Sequence, residues 1–249
     1  MEHLRRIREY ELELVLPLLP RGAKILEVGA GAGWQARALA ERGYAVEAVD
    51  TEGGGYEQER IWPVAMYDGH VLPFADETFD VVFSSNVLEH IPHVEQFQRE
   101  LQRVLKDGGA AVHLLPSASW RFWTSVTHYA HLSREFWNSR ATLRARLYHF
   151  RTNLRPPRHG ERGSALTEIY DFSRRAWVRL FEKTGWTVER TGVNRLFYTG
   201  YDTFHSTLPL RTRRWMSYAL GSSCNLICLR KPAARPPAAR WQRPGQTHE

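Results

Sequence analysis

Three glycines spaced two apart, Gly29, Gly31 and Gly33, stand between an apolar run and a helix-like segment in ILEVGAGAGWQARALAERGYAVEAVD, which closes on Asp50. Bare backbone at such a turn lets a ligand approach closely. An acid at the end of the following strand can accept hydrogen bonds from both hydroxyls of a ribose. A dinucleotide site needs G-x-G-x-x-G, so that a pyrophosphate can reach the helix N-terminus; counted from Gly29, the third glycine falls on Trp34. The spacing therefore suits a nucleoside-bearing ligand without phosphate, met at its amino-acid and ribose portions. The bland alternative is a sharp strand-to-helix turn that binds nothing.

The elements that must position these residues read directly from the periodicity. KILEV is a short buried strand, WQARALAERG a helix closed by Gly43, and AVEAVD a second strand. This is the first β-α-β unit of a doubly wound sheet, whose ligands lie beyond the carboxyl ends of the strands. In MYDGHVLPFADETFDVVFSSNVLEHI, Asp68 follows a third strand and FDVVFSSN forms a fourth; EQFQRELQRVLKDGGAAVHLLP adds a helix, a Gly-Gly turn and a fifth strand.

The order of these motifs resembles that of the class I S-adenosylmethionine-dependent methyltransferases, in the broad branch that includes ubiquinone-biosynthesis-like enzymes. The resemblance covers roughly Ile25 to Pro116, with a weaker echo in FSRRAWVRLFEKTGWTVERTGV. It implies an α/β fold, a doubly wound Rossmann-like sheet with a helical insert after the fifth strand, and S-adenosyl-L-methionine as cofactor. Glu27, Gly29, Gly31 and Gly33 match the first motif, under the methionine moiety. Asp50 matches the acid on the ribose, Asp68 with Gly69 the acid at the adenine amino group, and Ser85 with Asn86 positions beside the cofactor's own amino group. Glu89 and His90 match an element facing the reaction crevice.

Methyl transfer from a sulfonium needs alignment and exclusion of water more than it needs protein acid-base chemistry. A base is required only where the acceptor must lose a proton. His90, His128 and His159 are the candidates, with His113, His131, Tyr129 and Glu168 as further possibilities near the end of the fifth strand. His113 alternates with apolar neighbours and reads equally as a core residue. His128 and His131 lie one helical turn apart without companion ligands, so no metal is expected.

Charge is unevenly placed. The chain of 249 residues carries a net charge of +7, and nine arginines against two glutamates fall between Ser117 and Gly163. That region, 117–170, reads as a basic, aromatic insert forming a lid over the acceptor. Phe136, Leu143, Leu147 and Phe150 recur at helical spacing, while Arg140, Arg144, Arg151 and Arg155 form a separate ridge. Trp123, Tyr129, Arg140 and Arg144 are the expected acceptor contacts. A merely solvated cap is the alternative. Arginine beside aromatic residues also fits RNA, but no recognisable RNA-binding module accompanies them, so nucleic acid is not the expected partner.

The length suits one α/β domain over residues 1–230. Residues 231–249, rich in Pro, Ala and Arg, read as a disordered tail. The first twenty residues interleave charges with apolar residues and do not resemble a signal peptide. No run approaches the roughly 20 apolar residues that span a bilayer, although peripheral membrane contact stays compatible with the composition. Cys224 and Cys228, four residues apart on an expected strand, are about 13 Å from each other and out of disulfide reach. A cytoplasmic location is expected. The expectation for function is methyl transfer to a small or lipid-linked, anionic metabolite, of which a sugar or nucleotide-sugar intermediate is one example. An RNA methyltransferase and a non-catalytic S-adenosylmethionine-binding module are the alternatives.

Overall fold

A computed structural model describes residues 2–53, 57–201 and 208–233. Seven strands form one sheet: β1 (Lys24–Val28), β2 (Ala45–Thr51), β3 (Ala65–Tyr67), β4 (Phe79–Ser85), β5 (Leu105–Pro116), β6 (Thr187–Val193) and β7 (Cys224–Arg230). Their spatial order is β3-β2-β1-β4-β5-β7-β6. Strands β1 to β5 pair in parallel, and β7 runs antiparallel to both β5 and β6.

Successive residues of a strand point to opposite faces, so a sheet covered on both faces needs apolar residues at nearly every position. The central strands meet that need. On β4, Val81 and Phe83 enter one core while Val82 enters the other; Ile25 and Leu26 divide likewise on β1. One face is covered by α3 (Val94–Val104) and α7 (Arg174–Lys183), the other by α1 (Glu2–Val15) and α2 (Trp34–Ala40). On α3, Val94, Phe97, Leu101 and Val104 recur every three or four residues and are all buried, which fixes the face it turns to the sheet.

Four more α-helices follow: α4 (Ala118–Asn138), α5 (Leu143–Thr152), α6 (Thr167–Asp171) and α8 (Leu210–Leu220). The first three make up most of the insert between β5 and α7. At its root, Trp120, Arg121, Thr124, Thr127, His128 and Leu132 of α4 are buried. Arg121 is part of the packing. Its guanidinium lies 2.7 Å from Glu168 on α6, both side chains being almost fully buried, and it donates to the Pro157 carbonyl. Glu168 in turn accepts from the backbone N–H groups of His159 and Gly160, so it holds the loop that follows α5.

Cys224 and Cys228 are free and buried on β7. Lys231, placed by composition in the tail, is tied down: its ammonium donates to Leu105 O and lies 3.2 Å from Asp107. The rest of that segment, 234–249, lies outside the described residues. Among the described residues, no helix is long and apolar enough to cross a membrane.

Candidate functional site

A cleft of about 1830 Å³ opens at the carboxyl ends of β1, β2, β3 and β4. Each strand delivers its polar residue where the backbone leaves the sheet. After β1, Gly29 (φ +72°), Gly31 (φ +55°) and Gly33 (φ +80°) carry the chain through left-handed conformations that other residues adopt only with strain. A Cβ on Gly29 would come within 2.3 Å of the Val87 side chain. Asp50, ending β2, accepts from Gly31 N–H at 2.7 Å and from Thr51 N–H at 2.8 Å. It therefore braces the glycine turn as well as facing the cleft.

Asp68, after β3, accepts from the His70 and Val71 N–H groups through a single oxygen, and these bonds hold its carboxyl below the usual range. Ser85 and Asn86 close β4 at the same rim. Asn86 adopts φ +55°, uncommon for a non-glycine residue, and its carboxamide sits against the Arg8 guanidinium.

Of the nine expected cofactor contacts, Gly29, Gly31, Asp50, Asp68, Gly69, Ser85 and Asn86 line this cleft. Glu27 and Gly33 do not. Glu27 is buried beneath the turn, where loss of solvent pushes its carboxyl up to about 8 although the Ala36 N–H opposes the shift. Gly33 caps the N-terminus of α2, and a Cβ there would lie 2.5 Å from Trp62.

Helix α1 roofs the cleft, a role that sequence reading missed; its signal was the amphipathic spacing of the first fifteen residues. Leu4, Arg5 and Arg8 reach the cleft, and Arg5 stacks its guanidinium 4.2 Å above the Trp34 ring. Arg8 pairs with the fully buried Glu11 at 2.7 Å and donates to Ser85 Oγ. Asn194 and Tyr198 both donate to Glu11, anchoring the helix to the far side of the sheet. Tyr67, His70 and His93 were also missed. His93 stacks on His70 with ring centroids 4.1 Å apart and bonds through Nε2 to Gly69 O.

A second cavity of about 390 Å³ adjoins the first and shares Leu4, Arg8, Asn86 and His90 with it. Trp120, His159, Phe197 and Tyr198 supply part of the remaining wall. Of the three candidate bases, His90 and His159 meet here, ring centroids 4.7 Å apart, although 69 residues separate them. Burial lowers the pKa of both, that of His159 to about 4 with help from His90 and Arg121. Glu89 lies under them, fully buried, and loss of solvent pushes its carboxyl up to about 8 against the pull of Arg8 and Arg162.

His128 is placed elsewhere. Its two ring nitrogens are engaged by Tyr201 OH and Asn153 O, so it ties α4 to two loops. His113 is a core residue, bonded to Ser84 Oγ and stacked on Phe181. His131 pairs with Glu135 at 3.3 Å.

The four expected acceptor contacts line neither cavity. Trp123 donates to Leu220 O and packs edge-on against Phe197. Tyr129 is exposed on α4. Arg140 lies in the break between α4 and α5 and Arg144 on the outer face of α5, both solvent-exposed. Phe136 packs on Phe150 across the break at 139–142, but α5 buries none of its residues, and its apolar Leu143 and Leu147 are exposed along with the arginines.

Residues 26–113 match the family model described as methyltransferase domain. An uncharacterized methyltransferase of Mycobacterium avium is 32% identical over 167 residues, covering 63% of this chain and 61% of that protein. The chain spans about three fifths or less of the length of the first curated relatives it matches. A solved S-adenosylmethionine-dependent methyltransferase from Mesorhizobium loti superposes with a TM-score of 0.56 at 16% identity, over 89% of this chain and 98% of that one. One from Aquifex aeolicus gives 0.52 at 15%, over 88% and 89%. None of these names narrows the kinship to the ubiquinone-biosynthesis-like branch. The cleft fits the cofactor of that family: two carboxylates at its rim disfavour a pyrophosphate and suit hydroxyls and amino groups, while the glycine backbone leaves room for close approach. Residues 26–113 of this chain thus match a methyltransferase domain, on a fold like that of solved S-adenosylmethionine-dependent methyltransferases.

Proposed function

We propose that the protein transfers a methyl group from S-adenosylmethionine to a small-molecule acceptor seated in the second cavity. The observation that carries this reading is the common wall: Leu4, Arg8, Asn86 and His90 face both the cofactor cleft and the adjoining chamber. A methyl group presented at that wall would meet an acceptor directly.

When bound, the cofactor supplies a methyl group already activated by a sulfonium. What the chain contributes is alignment, worth about 7–11 kcal/mol where the geometry is near-attack. Asp50 and Asp68 fix the nucleoside end, Gly29 and Gly31 admit the amino-acid portion, and α1 closes above them. Trp120, Phe197 and Tyr198 keep water from the chamber. His90 and His159 are neutral near pH 7, so they present lone pairs rather than charge to the acceptor.

The volume of the chamber favours a compact acceptor. An anionic, sugar-like or lipid-linked acceptor rests on the arginine ridge, which an extended molecule would meet only after leaving the chamber. Within it, Arg8 is already paired with Glu11, and Arg213 donates to the carbonyls of Phe197 and Leu208.

The test is calorimetric titration with S-adenosylmethionine, S-adenosylhomocysteine and NAD. Both sulfur compounds should bind, and Asp50→Ala should weaken them about ten- to a hundredfold, the equivalent of about 1.5–3 kcal/mol, in a protein that keeps its circular dichroism. Tight NAD binding without response to either sulfur compound would overturn the reading. So would an unchanged affinity in the folded variant.

A further inference from the structure

We propose that Glu89, His90 and His159 form a divalent-cation site on the wall between the cofactor cleft and the acceptor chamber. Both imidazole Nε2 atoms converge on one carboxylate oxygen, Glu89 Oε1, at 3.8 Å from His90 and 4.0 Å from His159. One ligand atom from each residue lies within 4.8 Å of the other two. These separations are too long for hydrogen bonds. They are close to what a cation demands: bonds of about 2.0–2.2 Å to nitrogen and oxygen place donors about 3.0–3.5 Å apart, which side-chain rotations on the order of 1 Å would reach.

A second observation points the same way. Glu89 is 1% exposed, and neither of its carboxylate oxygens has a hydrogen-bond partner among the described residues. Buried carboxylates are ordinarily paired or coordinate a metal, because an unpartnered one costs several kcal/mol. The backbone around it is built rather than loose. Glu89 O accepts from Glu161 N–H at 2.9 Å, and Gly160 packs so closely that a Cβ there would lie 2.7 Å from the same oxygen. Glu168 holds the His159 and Gly160 N–H groups from behind. The loop carrying His159 is thereby docked onto the turn that carries Glu89 and His90.

Two imidazoles and one carboxylate suit a first-row divalent cation and leave coordination positions open. The imidazoles line the chamber and are partly exposed, whereas the carboxylate lies beneath, so the open positions face the acceptor. This inference rests on the methyl-transfer reading for its consequence: the acceptor it suits offers a hydroxyl or carboxylate oxygen beside the methyl group. The site itself is tested without cofactor or acceptor.

Chelator-treated protein is titrated with Co²⁺ alone, followed by calorimetry and by visible absorption. The expected result is one bound ion per chain with a d–d spectrum. His90→Ala and His159→Ala should each weaken binding by about 100-fold or more, beyond what loss of an outer-shell partner causes. Glu89→Gln should abolish the rise in melting temperature that Co²⁺ produces in the parent. His149→Ala is the control, because His131, Glu135 and His149 form an exposed group able to take a stray ion. Absence of stoichiometric binding, unchanged affinity in His159→Ala, or loss confined to His149→Ala would each overturn the site. Failure of S-adenosylhomocysteine to bind while Co²⁺ binds as expected would sink the proposed function alone.

Discussion

Replacing Gly29 by alanine tests whether the turn after β1 is shaped by backbone conformation, by crowding, or by both. At φ +72° an L-residue costs about 1–2 kcal/mol relative to glycine. The new Cβ would also stand 2.3 and 2.8 Å from the two Val87 methyl carbons and 3.1 Å from its Cβ. Such overpacking adds about 1–3 kcal/mol. Gly43 separates the two contributions, since its φ is +87° and a Cβ there meets nothing within 4 Å. Gly43→Ala carries the conformational cost alone, and the smaller chain entropy of the unfolded state offsets both variants alike. In a chain of this size each kcal/mol lowers the melting temperature by about 2–4 °C. The expected losses are about 2–8 °C for Gly43→Ala and about 4–20 °C for Gly29→Ala. Val87 lines the cleft and precedes the turn of Glu89 and His90, so Gly29→Ala should also weaken S-adenosylhomocysteine binding, while Gly43→Ala should not. Adding Val87→Ala removes the two closest atoms and should restore part of both losses, giving a favourable coupling in a double-mutant cycle. If thermal unfolding and calorimetry find Gly29→Ala no worse than Gly43→Ala, or no coupling to Val87, the crowding argument is wrong.

Two further outcomes follow from buried ionisable groups. Glu168→Gln removes one partner of the buried Arg121 pair and should cost about 3–5 kcal/mol, whereas Glu189→Gln, in the exposed pair with Arg230, should cost about 1 kcal/mol or less in denaturant melts. Equal effects would refute the structural role given to Arg121. Burial holds His113 neutral down to about pH 3, against about 6.5 when unfolded, so between those values the unfolded chain binds the extra proton. Stability attributable to this residue is complete above pH 6.5 and falls by about 1.4 kcal/mol per unit as the pH drops through the window. His113→Asn should flatten the pH dependence of unfolding between 6 and 4 by about one proton, and an unchanged slope would remove His113 from the account.

How much of this protein is legible in its sequence divides along the cleft. The turn of Gly29, Gly31 and Gly33, the acid Asp50 and the pair Asp68-Gly69 each follow their own strand by a few residues, and the periodicity that marks the strand also marks its end. Their convergence needs only parallel pairing, which brings carboxyl ends to one edge whatever the helices do. Glu27 and Gly33 belong to the same turn in sequence, and their burial beneath it and at the start of α2 is something that only the fold shows.

The second cavity was decided by tertiary structure. His90 and His159 meet because the loop after α5 docks its backbone on Glu89, and nothing in the 68 residues of intervening sequence marks that contact. Arg121 and Arg140 are alike in composition, yet one is buried against Glu168 and the other faces solvent. Local periodicity records which face of an element is apolar. Which partner covers that face, and which arginine or histidine is caught beneath it, depends on packing between segments far apart in the chain.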